Sequence, residues 1–125
     1  MLAPTAALGR RGEDLAHRFL QQSGFVVICR NYRTPSGDAE IDIVARDNGV
    51  LVFVEVKSRT SAEFGAPDRA IDPEKQKKIT RAARSYVTRA GASWNQVRFD
   101  TVSVVFTTPP TIVHYQDVFF EGRAN

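Results

Sequence analysis

Apolar positions along this chain switch between a helical period and a period of two, and the switches predict its elements. From 9 to 23, Leu15, Ala16, Phe19 and Leu20 fall on one helical face, and Gly24 is a natural stop. Phe25 to Tyr32 is rich in β-branched and aromatic residues and reads as a strand; Arg33 to Ala39, with Pro35, Ser36 and Gly37, reads as a turn. The next stretch, Glu40 to Lys57, is two strands around Asn48-Gly49, a dipeptide that suits a two-residue hairpin turn with positive φ at both positions.

If that dipeptide is the tip, Asp47 faces Val50. Counting down the arms then pairs Val44 with Phe53, Asp42 with Glu55 and Glu40 with Lys57. Alternation puts Glu40, Asp42, Val44, Phe53, Glu55 and Lys57 on one face. Ile41, Ile43, Ala45, Val52, Val54 and Val56 share the other, which reads as core. Val50 to Val54 is apolar on both faces, the pattern of a strand buried on both sides.

Ser58 to Ala70 is mixed in polarity, contains Gly65 and Pro67, and is predicted to be a loop near the carboxylate end of the hairpin, long enough to contact a ligand. Asp72-Pro73 announces a second helix, an Asp cap followed by Pro at the first helical position. Ile79, Ala82, Ala83, Tyr86 and Val87 form its stripe, and Gly91 ends it. Trp94 falls in the following loop. Val97 to Thr107 is a strand, with Arg98, Asp100, Val102, Val104 and Phe106 on one face. Asp100, alone among apolar neighbours, reads as a paired structural acid. Pro109-Pro110 breaks the chain, Thr111 to Tyr115 is a last strand, and Val118 to Phe120 dock a tail. The fold is therefore α/β in the order α-β-β-β-α-β-β, a mixed sheet flanked by helices, with a right-handed crossover through the second helix. Residues 1–125 make one domain, with 1–8 expected to be flexible and 118–125 a C-terminal tail.

Composition changes this picture little. The 42% hydrophobic and 25% charged fractions are ordinary for a globular protein. A net charge of +3 permits a polyanionic partner without requiring one. Cys29 stands alone, which excludes an internal disulfide framework or a Cys-rich zinc site and fits a reducing cytoplasm. The basic residues Arg10 and Arg11 follow the apolar start and do not precede it, so no signal peptide is expected, and no stretch is apolar enough to span a membrane. His17, on the solvated side of the first helix, and His114, on an edge strand, make no histidine metal motif.

The candidate chemistry lies in the hairpin. Asp42 and Glu55, directly opposed, would have β-carbons roughly 4.5–5.5 Å apart, and like charges so placed destabilise a sheet without a cation. Lys57 supplies one positive charge; Mg²⁺ or Mn²⁺ would supply the rest, since oxygen ligands suit hard ions. The bland alternative is a solvated face with an ordinary Lys–Glu ladder. Elsewhere, Glu13 is either a dipole-favoured acid near a helix start or a further site carboxylate. Lys75 and Gln76 lie beside the inward edge of the second helix. Lys77, Arg81 and Arg84 form a basic flank, read as a solvated face or as phosphate contacts.

Asp42 followed by Glu55-Val56-Lys57 is a D…ExK pattern, which resembles the PD-(D/E)XK phosphodiesterase superfamily of restriction endonucleases and Holliday-junction resolvases. More narrowly, the chain resembles the YraN-like family of bacterial putative endonucleases. The similarity extends through Gly12-Glu13, Arg30-Asn31-Tyr32-Arg33, Glu40-Ile41-Asp42, Phe53 to Arg59, Phe64-Gly65, Lys75 and Arg98-Phe99-Asp100. One departure is Ala39, where that family usually has Gly before the Glu-Ile-Asp stretch. The resemblance implies a restriction-endonuclease-like fold and a metal-dependent DNA endonuclease, with branched or nicked substrates, DNA ahead of RNA, and no membrane. It implies Asp42, Glu55 and the Val56 backbone carbonyl as metal ligands, with Glu13 as a further ligand, direct or through water. Lys57 would orient or deprotonate water, and Glu40 would be a second acid or a partner for Lys57. Gln76, Lys75, Lys77, Arg81, Arg84 and Arg59 are the implied nucleic-acid contacts, and dimerisation is a feature of resolvase-like relatives. The competing expectations are a non-cleaving nucleic-acid-binding or scaffolding module, and a homodimeric adaptor using the strand edge or the tail.

Overall fold

Asn48 and Gly49 both adopt positive φ, 49° and 85°, and close the hairpin on which the rest of the chain is assembled. The structure, a computed structural model, describes residues 4–60 and 71–119. Strands β1 (Val26–Arg33), β2 (Glu40–Asp47) and β3 (Val50–Arg59) follow helix α1 (Pro4–Gln22). Helix α2 (Pro73–Ala90) and a single 3-10 turn at Trp94–Gln96 lead to β4 (Val97–Val105) and β5 (Thr111–Phe119). The five strands lie side by side in chain order. All neighbours are antiparallel except β3 and β4, whose parallel pairing requires the crossover that α2 provides.

The hairpin register is the one its turn dictates: Asp47 opposite Val50, Val44 opposite Phe53, Ile43 opposite Val54. Each helix covers one face of the sheet. Ala16 and Leu20 of α1 pack with Ile43, Val52, Val54, Val102 and Val104. On the other face Ile79, Ala82, Ala83 and Val87 of α2 pack with Val44, Leu51, Phe53 and Phe99. Leu51 to Val54 is buried without interruption because β3 lies between both layers.

The second helix starts and stops where its sequence says. Asp72 Oδ1 accepts from the Lys75 backbone N–H at 3.0 Å, and Gly91 takes the left-handed conformation (φ 66°) that closes the C-terminus. Asp100 is the paired structural acid expected. Its carboxylate, fully enclosed, accepts from Arg98, from the Asp117 backbone N–H at 3.0 Å and contacts His114 Nε2 at 2.7 Å, while Arg98 also reaches Asp47 beside the hairpin turn. Its hydrogen bonds outweigh burial and hold its pKa below the usual carboxylate value. His114, edge-on to Phe25, is a packing residue with one polar contact.

Five elements differ in extent from the sequence reading, one of them β4, which ends at Val105 where Thr107 was expected. Helix α1 starts at Pro4, so residues 4–8, expected to precede it, belong to it. β1 starts one residue later and ends one later, at Arg33, with a bulge between Val27 and Cys29. Ser58 and Arg59 continue β3, while the rest of the expected ligand-contacting loop, 61–70 with Phe64-Gly65, lies outside the described residues. β5 continues through Val118 and Phe119, where the sequence suggested a docked tail. Phe119 pairs with Phe99 and its ring stacks on it at 4.4 Å. The strand turns a corner at Asp117 (φ 58°), which hid its continuation. Phe120 and the remainder of the tail lie outside the described residues. Among the described residues no helix is long and apolar enough to cross a membrane.

Candidate active site

The hydrophobic alternation of β2 breaks at Asp42, and that break makes the site. Ile41 packs on the α2 side with Val44 and Phe53, whereas Ile43 packs on the α1 side. The sequence reading placed both isoleucines on one face. Opposite Asp42 in the β1–β2 register stands Asn31, a non-glycine residue at φ 55°. A distortion of this kind re-aims one side chain at a strand edge, at a cost borne by the surrounding packing. The paired ladder between β2 and β3 ends at Ile43 and Val54. Past that point the Asp42 carboxylate replaces the backbone: its Oδ2 accepts from the Val56 N–H at 2.8 Å.

Asp42 and Glu55 are thus brought together as expected, but through a side chain inserted at the end of the ladder. Burial raises the Asp42 pKa most, followed by a hydrogen bond to Glu55 and the Glu55 charge, to about 7. Asp42 therefore keeps its proton through the range in which an exposed carboxyl has already lost it, and gives it up only near neutrality. The Val56 N–H and Lys75 act in the opposite sense. Lys75 Nζ lies 3.4 Å from Glu55 Oε2. Sequence spacing had assigned the compensating cation to Lys57; the structure adds one from α2. Lys57 follows Glu55 by two positions on β3, half-buried and level with Ser103 of β4.

Glu13 approaches from α1. Burial and the Asp42 charge raise its pKa, while Arg30, 3.3 Å away, and Asn31 oppose the rise. Arg30 also holds Asp14 at 2.8 Å, which fixes the helix over β1. Gly12 permits the approach. A β-carbon there would overlap Ser58 Oγ on β3 and lie 3.1 Å from Ser58 Cβ. Gly12→Ala is expected to lower stability by about 1–3 kcal/mol despite better helix propensity. The denaturation midpoint would show it, and in a Ser58→Ala background the loss should shrink.

The other sequence candidates divide. Glu40, expected as a second acid or a partner for Lys57, is paired with Arg33, its neighbour across the β1–β2 ladder, at 2.7 Å. Gln76 Nε2 donates to the Ile71 carbonyl at 2.7 Å and braces the start of α2. Of the basic flank, Arg81 is bonded to Asp38 and Arg84 stacks over Trp94 at 4.2 Å. Lys77 is exposed and Arg59, at the end of β3, is half-buried. The flank is therefore partly committed within the molecule, because α2 lies close enough to the 33–39 turn and to Trp94 for two arginines to fold back. Lys78, which is not among the sequence candidates, lines with Lys75, Arg33 and Glu40 a cleft of about 250 Å³ reaching Asp42. A second cleft of about 280 Å³, between Leu8, Gly9 and Glu13 of α1 and Val56 and Ser58, also reaches Asp42. That carboxylate stands in the wall between the two.

Among the described residues no group of three or more His, Cys, Asp and Glu forms a ready metal cage. Asp42, Glu55 and the Val56 carbonyl offer hard oxygen donors only. Such a set fits an ion that keeps several waters and completes its shell with substrate oxygens, as Mg²⁺ does. It lacks the cysteine and histidine ligands of a closed structural zinc site.

A family model described as uncharacterised protein family UPF0102 matches residues 12–104. A UPF0102 protein of Solibacter usitatus is 51% identical over 111 residues, covering 89% of this chain and 84% of that relative. One of Desulfosudis oleivorans is 48% identical, covering 83% of each chain. Another, of Geobacter sulfurreducens, is 44% identical over 90% of this chain and 88% of its own.

Proposed function

The chain belongs to uncharacterised protein family UPF0102, and from that premise and its paired carboxylates we propose that it is a Mg²⁺- or Mn²⁺-dependent endonuclease acting on DNA. The observation that carries this reading is the Asp42–Glu55 pair, in hydrogen-bonding contact at the meeting of two clefts, one of them lined by Lys75 and Lys78. A mixed five-stranded sheet with Asp42 and Glu55-Val56-Lys57 on adjacent strands also supports a place in the PD-(D/E)XK superfamily, with its restriction-endonuclease-like fold.

Asp42 and Glu55 would hold the ion with the Val56 carbonyl, and Glu13 would order water beside it. When bound, the ion lowers the pKa of water and offsets charge on phosphate oxygens. Lys57 shares the side of β3 that carries Glu55, where its ammonium orients the attacking water and balances the developing negative charge. Lys75 and Lys78 hold the phosphodiester backbone in the cleft, and Arg30 keeps Glu13 in place. No covalent nucleophile is called for.

Lys57→Ala is expected to slow metal-dependent cleavage by 10²- to 10⁴-fold while leaving DNA affinity within a few-fold of the parent. The test is a panel of single-stranded, duplex, flapped and four-way DNA with Mg²⁺ or Mn²⁺ titrated in. Cleavage that is equal with and without metal, or unaffected by Lys57→Ala, would refute the proposal. One observation favours a second reading, a nucleic-acid-binding module that does not cleave: the described residues supply two paired acids and no third in a cage. It expects salt-sensitive binding and no metal-dependent product from the same panel.

A further inference from the structure

We infer that the protein carries a binding site for one unpaired nucleobase, formed by Tyr32, Tyr86 and Arg89, toward the opposite end of α2 from the Lys75 that meets the acidic pair. This deepens the nuclease reading and rests on it for the identity of the polymer. Tyr32 of β1 lies across the ladder from Ile41, one residue from Asp42. Its ring meets that of Tyr86 edge-on at 5.3 Å, and the Tyr32 hydroxyl bonds Ser85 at 2.7 Å, which fixes the ring. The Arg89 guanidinium sits 5.9 Å above the Tyr32 ring. Together with Ala90 these residues line an open cleft of about 270 Å³.

The chemistry of this cleft selects its occupant. Its walls are aromatic faces and one exposed guanidinium, the groups on which bases stack in single-stranded nucleic acids. Arg89 is exposed and long, so it can lift to admit a planar ring against Tyr32. The cleft has room for one heterocycle. Lys78, Ser85 and Arg89 stand at i, i+7 and i+11 on α2, so one side of the helix runs from the lysine-lined cleft to the aromatic one. Tyr32 and Arg33, adjacent on β1, likewise line one cleft each. A strand with its phosphates near Lys75, Lys78 and Arg33 and continuing along α2 would bring a base further along it to Tyr32, provided that base is unpaired. The substrate class that follows is DNA with a single-stranded element: a flap, a gap or an open junction.

The test uses Asp42→Asn protein, in which the base site is intact and cleavage is not required. A short single-stranded oligonucleotide carrying 2-aminopurine should lose fluorescence on binding, as the base stacks. A blunt duplex of equal length should bind more weakly. Adding Tyr32→Leu or Arg89→Ala should weaken single-strand binding by about fivefold to a hundredfold, with little change for the duplex. Tyr32→Phe, which keeps the ring and loses only the Ser85 bond, should retain most of the affinity. Equal affinity of Tyr32→Leu and Arg89→Ala proteins for the single strand, or no preference over duplex, would overturn the base site while leaving metal-dependent cleavage standing. A base-dependent signal without any cleavage by the wild-type protein would keep the site and remove the nuclease.

Discussion

Replacing Asp42 by Asn, or Glu55 by Gln, is expected to reduce metal-dependent cleavage by about a thousandfold or more. The argument is geometric. Each change is nearly isosteric, and in the Asp42→Asn protein the amide oxygen can still accept from the Val56 N–H that the carboxylate now engages. What disappears is negative charge at the point where the two clefts meet. A bound ion contributes several kcal/mol to a phosphoryl transition state, and each 1.36 kcal/mol is a factor of ten in rate. Losing half the acidic donors should forfeit most of that. DNA affinity measured by anisotropy should change by less than about threefold, because Lys75, Lys78 and Arg33 remain. Asp42→Asn protein that cleaves at the parental rate under saturating Mg²⁺ would show that the carboxylate pair is not the catalytic centre.

The frame of this site was readable in the chain because it depends on local rules. Asn48-Gly49 fixed a turn, the turn fixed the register, and the register set Asp42 near Glu55. Asp72-Pro73 and Gly91 likewise marked the ends of α2. What escaped is what depends on departures from regular geometry. The left-handed Asn31 across from Asp42, the packing of Ile41 and Ile43 on opposite sides and the corner at Asp117 are not periodic features. Side-chain partners were harder still, since they depend on how the layers sit on one another. Glu55 lies beside Lys75 from the helix that follows its strand, Glu40 turns to Arg33, and Arg81 folds onto Asp38. Helix stripes predict that a side will be apolar; they do not say which polar residues at its margin will reach a neighbouring loop. Gly12 illustrates the same limit. Its place in a helix looks unfavourable by propensity, and only the proximity of Ser58 explains it.

In the absence of divalent ions the protein should lose stability as pH rises from 5 to 8. Asp42 has a folded-state pKa of about 7 against an ordinary 3.8, so between those values the folded chain binds a proton that the unfolded chain has released. The stabilisation is full below the unfolded value and is lost as pH climbs through the folded one. At ~1.4 kcal/mol per pKa unit the whole shift corresponds to on the order of 4 kcal/mol. The part of it that falls above pH 5, reduced further by water reaching the pair from both clefts, is about 2–3 kcal/mol. Glu13, also raised, acts with the same sign. Asp100, lowered, loses its contribution only in acid below this range, and Lys75, raised, only in alkali above it, so neither bends the curve between pH 5 and 8. Thermal melts in chelator should therefore fall by on the order of 10 °C across the interval. Mg²⁺ should reverse most of the loss at pH 8, where it meets an ionised pair, and little of it at pH 5, where it must displace a proton. Asp42→Asn protein should lose less across the interval, its remaining slope being that of Glu13, and be more stable than its parent at pH 8. The acids that prepare the site for a cation are then a measurable burden on the fold without one. A wild-type melting curve parallel to that of Asp42→Asn from pH 5 to 8 would mean that the fold does not raise the Asp42 pKa, and would remove the physical basis for the metal site.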